Sequence, residues 1–520
     1  MLKKAGNLFT TAYLLLIFGV YPLYMKHGYV DIGKAKYQFF IYCSLAALAI
    51  LALIGFLYGT QQIYCRIRHK AFPLINWDRV SLTDLFVMFF ATEIFISYSY
   101  SDYRKEALWG TEGWYMGLVL LLTLCGLYFF ISRFWQDGKI FWHVELIVSA
   151  LVCLLGILDR FSLYLLPIEI RQPAFISTLG NINWFCGCLT VLASPGICMF
   201  LLRTQKKLLY GVYAVIVFMA GFCQGGSSIF LFFGSLFYIL LWISLKKKVW
   251  IVNFLLLLSL WGFSAQLIRL ARLLSPHRYN YDTDNLCAYM TDSNFTLLVG
   301  AAALGLALFL HLKWKKELTE KTQQILRRIM IVIPLGIILC WITLTGINTR
   351  IGIPGLAQKE AFLLTREWGN GRGAAMYSSL QMYRQMPFFH KMFGIGPDCF
   401  SAYAYSLPEV AEDLRDYFGT NRLTNAHNEL LTALVNTGIL GVCFFTGVFL
   451  TFTGKCLKEG LRDPAFYLFA VPVICYFVHN IISFAQVLNL PFLFLFLGMG
   501  EAKRRNITPA CPTDTCRSHI

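Results

Sequence analysis

Long apolar runs alternate with short polar interruptions along nearly the whole chain. A helix of about 20 apolar residues crosses a hydrocarbon core of about 30 Å. By that rule the pattern predicts about fourteen spans, twelve to fourteen in all. They fall at 7–25, 38–60, 82–100, 115–132, 141–158, 184–202, 208–223, 227–245, 249–268, 294–311, 329–347, 427–453, 465–483 and 486–501. No small-residue cleavage site follows the first run, which reads as a retained helix rather than a signal peptide. The fold class is all-α, a polytopic helical membrane protein.

The largest polar interruption, 348–426, is far longer than a structural connector needs to be. It holds too many apolar and aromatic residues for disorder, among them Trp368, Met376, Leu380, Tyr383, Met386, Phe388 and Phe389. Met376, Leu380 and Tyr383 stand at helical spacing, predicting a helix over 374–386 whose face formed by these three lies on an apolar surface. Pro387 ends that helix, and Gly394-Ile395-Gly396-Pro397 is a tight turn. The chain thus divides into an N-terminal transmembrane region (1–347), a large loop with short helices (348–426), C-terminal transmembrane helices (427–501) and a polar, disordered tail (502–520). The segment 313–328, charged nearly all round, reads as a solvated connector helix. No internal repeat of the kind that marks many secondary transporters is visible.

Composition agrees: 14% of residues are charged, against about 25% in soluble chains. A net charge of +17 would suit a nucleic-acid partner, but its distribution argues against one. The basic residues cluster in short loops and report topology. With an even number of spans, Lys3/Lys4, Arg66/Arg68/Lys70, Arg203/Lys206/Lys207, Lys246/Lys247/Lys248, the 313–328 segment, Lys455/Lys458/Arg462 and Lys503/Arg504/Arg505 share one side with both termini. That side is the cytoplasm, and the 348–426 loop lies outside. Outside, Arg104/Lys105 is offset by Asp102 and Glu106, and Arg269/Arg272/Arg278 is the exception. Most of the sixteen cysteines lie inside spans, where cysteine behaves as a small apolar residue. Cys511 and Cys516 lack partners at zinc spacing, so no metal is expected; Cys287 and Cys399, both outside, could pair.

The candidate chemistry gathers at the outer face. Gly371-Arg372-Gly373 precedes the loop helix, where free backbone N–H groups and a guanidinium would suit an anion. An arginine anchoring the loop at headgroups fits these residues equally well. His427 stands in Thr424-Asn425-Ala426-His427-Asn428-Glu429, in the first turn of the next span, with Asn425 as its expected N-cap. The helix's positive end favours a neutral ring, as a general base requires, while Glu429 pulls the other way. Glu93 and His479 are ionisable groups at membrane depth and point to a cavity. Asp159 and Arg160 are expected to pair with each other, and Asn181 and Asn183 to begin a span as caps or cavity residues.

In these motifs the chain resembles the O-antigen ligase/O-antigen polymerase superfamily of bacterial membrane glycosyltransferases. Thr178-Leu179-Gly180-Asn181-Ile182-Asn183 looks like the family's opening of a middle span. Gly371-Arg372-Gly373 followed by Phe393-Gly394-Ile395-Gly396-Pro397 and Phe400 looks like its large-loop signature. Ala426-His427-Asn428-Glu429 with Thr437-Gly438-Ile439-Leu440-Gly441 is similar to its most recognisable segment. The resemblance implies a GT-C-like architecture in the bacterial cytoplasmic membrane. It also implies an inverting, metal-independent transferase with no cofactor, which passes a glycan from undecaprenyl pyrophosphate to a glycan, lipid or cell-wall acceptor. His427 would be the base or orient the acceptor, and Arg372 would contact pyrophosphate; Arg269, Arg272 or Arg278 from the next outside loop are candidates for a second charge there. Glu93, Asn181, Asn183 and His479 would line the cavity. Cys223-Gln224-Gly225-Gly226-Ser227-Ser228 departs from the family, which often carries an arginine there. A lipid-linked oligosaccharide flippase is the alternative from another class, and a non-catalytic assembly or sensor protein a third.

Overall fold

A computed structural model describes residues 1–68, 80–280 and 286–507. The N-terminal region comprises α1 (Leu2–Gly19), α2 (Ile32–Arg68), α3 (Leu82–Ser99), α4 (Arg104–Trp109), α5 (Leu118–Phe134) and α6 (Lys139–Arg160). A two-residue hairpin follows, β1 (Phe175–Ile176) antiparallel to β2 (Gly180–Asn181). Then come α7 (Ile182–Leu192), α8 (Ser194–Leu202), α9 (Lys207–Gln224), α10 (Ile229–Ser244), α11 (Lys248–Leu274), α12 (Leu286–Asp292), α13 (Phe295–Lys313) and α14 (Glu320–Ile351). The loop carries α15 (Trp368–Gln385), α16 (Phe388–Phe393), α17 (Phe400–Ser406) and α18 (Pro408–Phe418). The chain closes with α19 (Glu429–Gly460), α20 (Tyr467–His479) and α21 (Leu490–Ile507).

Every segment expected to span is helical, including the short ones around 208–245. Among the described residues nine helical segments are long and apolar enough to cross a membrane, and three more are apolar but shorter. Burial sorts them. The α7–α8 window is 94% buried and the α14 window only 6%. An apolar stretch that is unpacked on all sides, such as the spanning part of α14, belongs against lipid. At the centre, α7 and α8 pack on α20, α21 on α5, and α19 on α3. The α11–α13 pair approaches closely because a Cβ on Gly262 would stand 2.9 Å from Gly300 Cα. Small residues at such a crossing let two apolar helices gain dispersion contact.

Three expectations change. The charged 313–328 segment is not a separate connector, since α14 runs unbroken from Glu320 to Ile351. The loop helix begins earlier than 374, and its buried stripe is Ala375, Ser378, Ser379, Met382 and Met386, while Leu380 is exposed. The inward face joins small side chains to Met382 and Met386, rather than running through Met376, Leu380 and Tyr383, because α15 packs tightly on α17, α18 and α19. Finally, α21 carries Lys503, Arg504 and Arg505 past the expected start of the tail. They pair there with Asp137, Asp463, Glu501 and Asp84. Cys511 and Cys516 lie outside the described residues, as does Lys70.

The large loop has a core of its own, built from Met382, Met386, Ile395, Phe400, Val410 and Leu414, with Ala426 and Val435 joining it from the start of α19. This core docks the loop over the end of the bundle where the candidate residues gather.

Candidate functional site

Two glycine motifs explain how the loop is docked. α19 breaks at Gly438, which has φ +65° and ψ −172°. The break frees carbonyls that the helix would otherwise use. Ile395 N–H donates to Val435 O at 3.2 Å, Gly396 N–H to Asn436 O at 3.0 Å, and Ser97 Oγ–H to Asn436 O at 3.0 Å. The backbones come so close that a Cβ on Gly394 would lie 2.2 Å from Asn436 O, and one on Gly438 2.4 Å from Met392 O. Gly394 itself sits at φ +73°, where only glycine is comfortable. Just beyond, the Asp398 carboxylate accepts Thr111 N–H (2.7 Å) and Met116 N–H (2.9 Å), tying the 110–116 loop to the same unit.

His427 is not in the first helical turn. It lies before the helix with φ +49°, and its N–H donates to Asn425 Oδ1 at 2.9 Å. The N-cap is Asn428, whose Oδ1 accepts Leu431 N–H at 2.9 Å. Asn425 therefore makes a local turn, a competing use of the same side-chain chemistry. The imidazole lies edge-on to Phe484 with centroids 5.4 Å apart. Burial, reinforced by the Arg372 guanidinium, lowers its pKa to about 4. The cause differs from that expected: Glu429 does not offset it.

Glu429 turns away, accepting the Tyr476 hydroxyl at 2.8 and 2.9 Å and the Asn480 amide. Asn480 Oδ1 in turn lies 3.0 Å from His479 Nδ1, and His479 Nε2 is buried without a partner among the described residues. The 480–482 turn is gripped from three sides. Asn428 Nδ2 donates to Ile481 O (2.8 Å), Glu429 N–H to Asn480 O (3.0 Å) and Arg372 Nε to Ile482 O (3.2 Å). Arg372 also donates to Gly369 O at 2.9 Å and forms no ion pair among the described residues. The helix start around it is irregular, with Gly369 at φ +63° and Gly371 at φ +84°. One guanidinium edge is thus fixed by backbone, and its charge has no carboxylate to neutralise it.

The structure brings His427, Arg372 and His479 to one turn and reaches Asn183 by way of rings. Phe484 meets Trp114 (4.8 Å, 89°), and Trp114 meets Trp184 (5.6 Å, 76°), next to Asn183 at the start of α7. Asn181 caps that helix through Asn183 N–H at 2.8 Å, as expected. Trp114, Asp398, Asn425, Glu429, Asn436 and Phe484 line a pocket of ≈ 80 Å³ with an apolar floor at Phe90, Leu121 and Phe445. Glu93 is buried one turn from Phe90, neither oxygen bonded among the described residues, and a Cβ on Gly441 would lie 2.8 Å from its Oε2.

Other expected pairings come out differently. Asp159 accepts Ser177 N–H (2.7 Å) and meets Arg171 at 3.3 Å, while Arg160 acts on it as a nearby charge. Arg160 donates to the carbonyls of Cys223 and Gln224, both at 2.7 Å. A guanidinium therefore does reach the stretch that lacks its own arginine, but it is fully buried and committed to backbone. Arg272 meets Asp292 at 2.8 Å and Arg269 meets Asn294 at 3.0 Å, and their hydrogen bonds do not run to the His427 cluster. Cys287 and Cys399 are both free thiols, one beside Gln224 and the other beside Ser101. Trp114, Asp398 and Phe484 carried little signal: an aromatic in a polar loop, an acid after a Gly-Pro turn and one apolar residue among many.

Residues 283–446 match a family model described as O-antigen ligase. A comparison with curated proteins gave no match.

Proposed function

We propose that this chain, whose residues 283–446 match a family model described as O-antigen ligase, transfers a glycan from undecaprenyl pyrophosphate to an acceptor hydroxyl at the outer face of the bacterial cytoplasmic membrane. A membrane glycosyltransferase-type role in polysaccharide biosynthesis is what the family supports. The observation that carries the finer reading is a half-buried imidazole, its pKa lowered by burial and by Arg372, beside an arginine that has no carboxylate partner among the described residues. A neutral histidine can take a proton near pH 7, and an uncommitted guanidinium edge suits a phosphate oxygen.

In this reading the acceptor hydroxyl attacks the anomeric carbon as its proton passes to His427. The bond from that carbon to the pyrophosphate oxygen breaks, with inversion, and undecaprenyl pyrophosphate leaves with both bonding electrons against Arg372. The pocket bounded by Trp114 and Phe484 offers aromatic faces for a sugar ring, and Glu429 fixes the 480–482 turn. Arg269 and Arg272 would join the phosphate site only by releasing Asn294 and Asp292. The expected cavity residues Glu93, Asn181, Asn183 and His479 are not among those that line this pocket. No resident metal or cofactor is invoked.

Purified protein in vesicles, given a lipid-pyrophosphate glycan and an acceptor, tests this by product size and attachment. His427→Ala and Arg372→Ala are expected to lose transfer. Wild-type product yields from both variants would overturn the catalytic assignment. Movement of donor between leaflets without transfer would favour the flippase.

A further inference from the structure

At the end of the bundle opposite His427, a second cavity of ≈ 490 Å³ opens between the start of α6, the end of α8 and the start of α9. We propose that it holds the headgroup of an anionic phospholipid. Lys139, Arg203 and Lys206 line it, and none of the three takes part in an ion pair or side-chain hydrogen bond among the described residues. His143 adds a fourth nitrogen-bearing side chain. The only acid in the wall among the described residues, Asp137, is already engaged: it accepts Trp142 Nε1–H at 2.9 Å and lies 3.7 Å from Lys503.

Three like charges around one cavity repel one another, and a bound anion relieves that repulsion. The starts of α6 and α9 add to the field, for neither has a side-chain cap, and Lys206 is held at φ +56° by the turn. A soluble phosphate and a lipid phosphate share this chemistry, but the surroundings favour the lipid. Leu146, Met199, Leu202 and Leu468 give the cavity an apolar wall. Ile140, Leu208 and Leu209, next to the charged residues, are exposed at 58%, 82% and 53%, as side chains facing acyl chains would be. Basic pockets between helices at the cytoplasmic boundary bind phospholipid headgroups for this reason. The charge pattern of the chain puts this end on the cytoplasmic side.

The test uses delipidated full-length protein in a neutral detergent, with native mass spectrometry reading bound phosphatidylglycerol against phosphatidylcholine. Wild type is expected to prefer phosphatidylglycerol. The triple variant Lys139→Gln/Arg203→Gln/Lys206→Gln should bind it about a hundredfold more weakly. The charge-keeping Lys139→Arg/Arg203→Lys/Lys206→Arg should match wild type. If the neutral triple variant does not fold, Arg203→Gln alone decides, with about a fivefold loss expected. Equal binding of the two lipids, or undiminished binding by the neutral variants, would overturn the proposal. Saturation by inorganic phosphate with no preference for the lipid would assign the cavity to a soluble anion and overturn it as well.

Discussion

Substituting alanine for Gly394 should undock the large loop from α19. The added Cβ would lie 2.2 Å from Asn436 O, where ordinary contact begins at 3.4 Å, so the two backbones must part by about 1.2 Å. The hydrogen bonds from Ile395 (3.2 Å) and Gly396 (3.0 Å) do not survive such a movement. Two lost bonds cost about 2 kcal/mol, and an alanine at φ +73° adds about 1–2 kcal/mol. A destabilisation of about 3–4 kcal/mol at this contact is therefore expected. Because His427, Asn425 and Asp398 hang on the same unit, displacement on the order of 1 Å should lower transfer about a hundredfold. Gly438→Ala meets Met392 O at 2.4 Å, so the double variant should cost scarcely more than either single one. Gly454→Ala, whose Cβ would meet nothing within 4 Å, is the control. Transfer by protein in vesicles, together with proteolysis of the 348–426 loop, gives the readout. If Gly394→Ala matched Gly454→Ala in both rate and protease resistance, the docking argument would be wrong.

The pH profile tests His427 separately. Its pKa is lowered to about 4, so the base form persists down to that pH and the acid limb of kcat/KM should fall near 4 rather than 6.5. An Arg372→Lys variant keeps the charge and should leave the limb in place, whereas Arg372→Gln should raise it, though not to 6.5, because burial remains; a downward shift would contradict this. Glu429→Ala should destabilise the protein by about 2 kcal/mol, since the buried Tyr476 hydroxyl and Asn480 amide both lose their acceptor, and Tyr476→Phe by about 1 kcal/mol. Thermal inactivation in detergent ranks them, and a worse outcome for Tyr476→Phe would refute the assignment. Peptide mapping without reductant should find Cys287 and Cys399 uncrosslinked, and a peptide joining them would exclude the arrangement described.

Hydrophobic periodicity is a local signal, and it located the helices because a membrane span must satisfy its own backbone hydrogen bonds within itself. The helical segments, including the short ones of the large loop, were legible in that way. Which faces pack was not. The buried stripe of α15 runs through Ala375, Ser378 and Ser379, and small residues look the same in sequence whether they fill a crossing or face water. Side-chain partnership was equally hidden. Asp159 and Arg160 are neighbours in sequence, yet each turns to groups brought by other segments, Arg171 and Ser177 for one and Cys223 and Gln224 for the other. The same holds at the candidate site. Sequence placed a histidine and an arginine at one membrane boundary. Only the tertiary structure decided that Arg372 rather than Glu429 sets the charge around His427. It alone made two distant glycine motifs into one contact, because backbones separated by some forty residues meet only when the loop has folded onto α19.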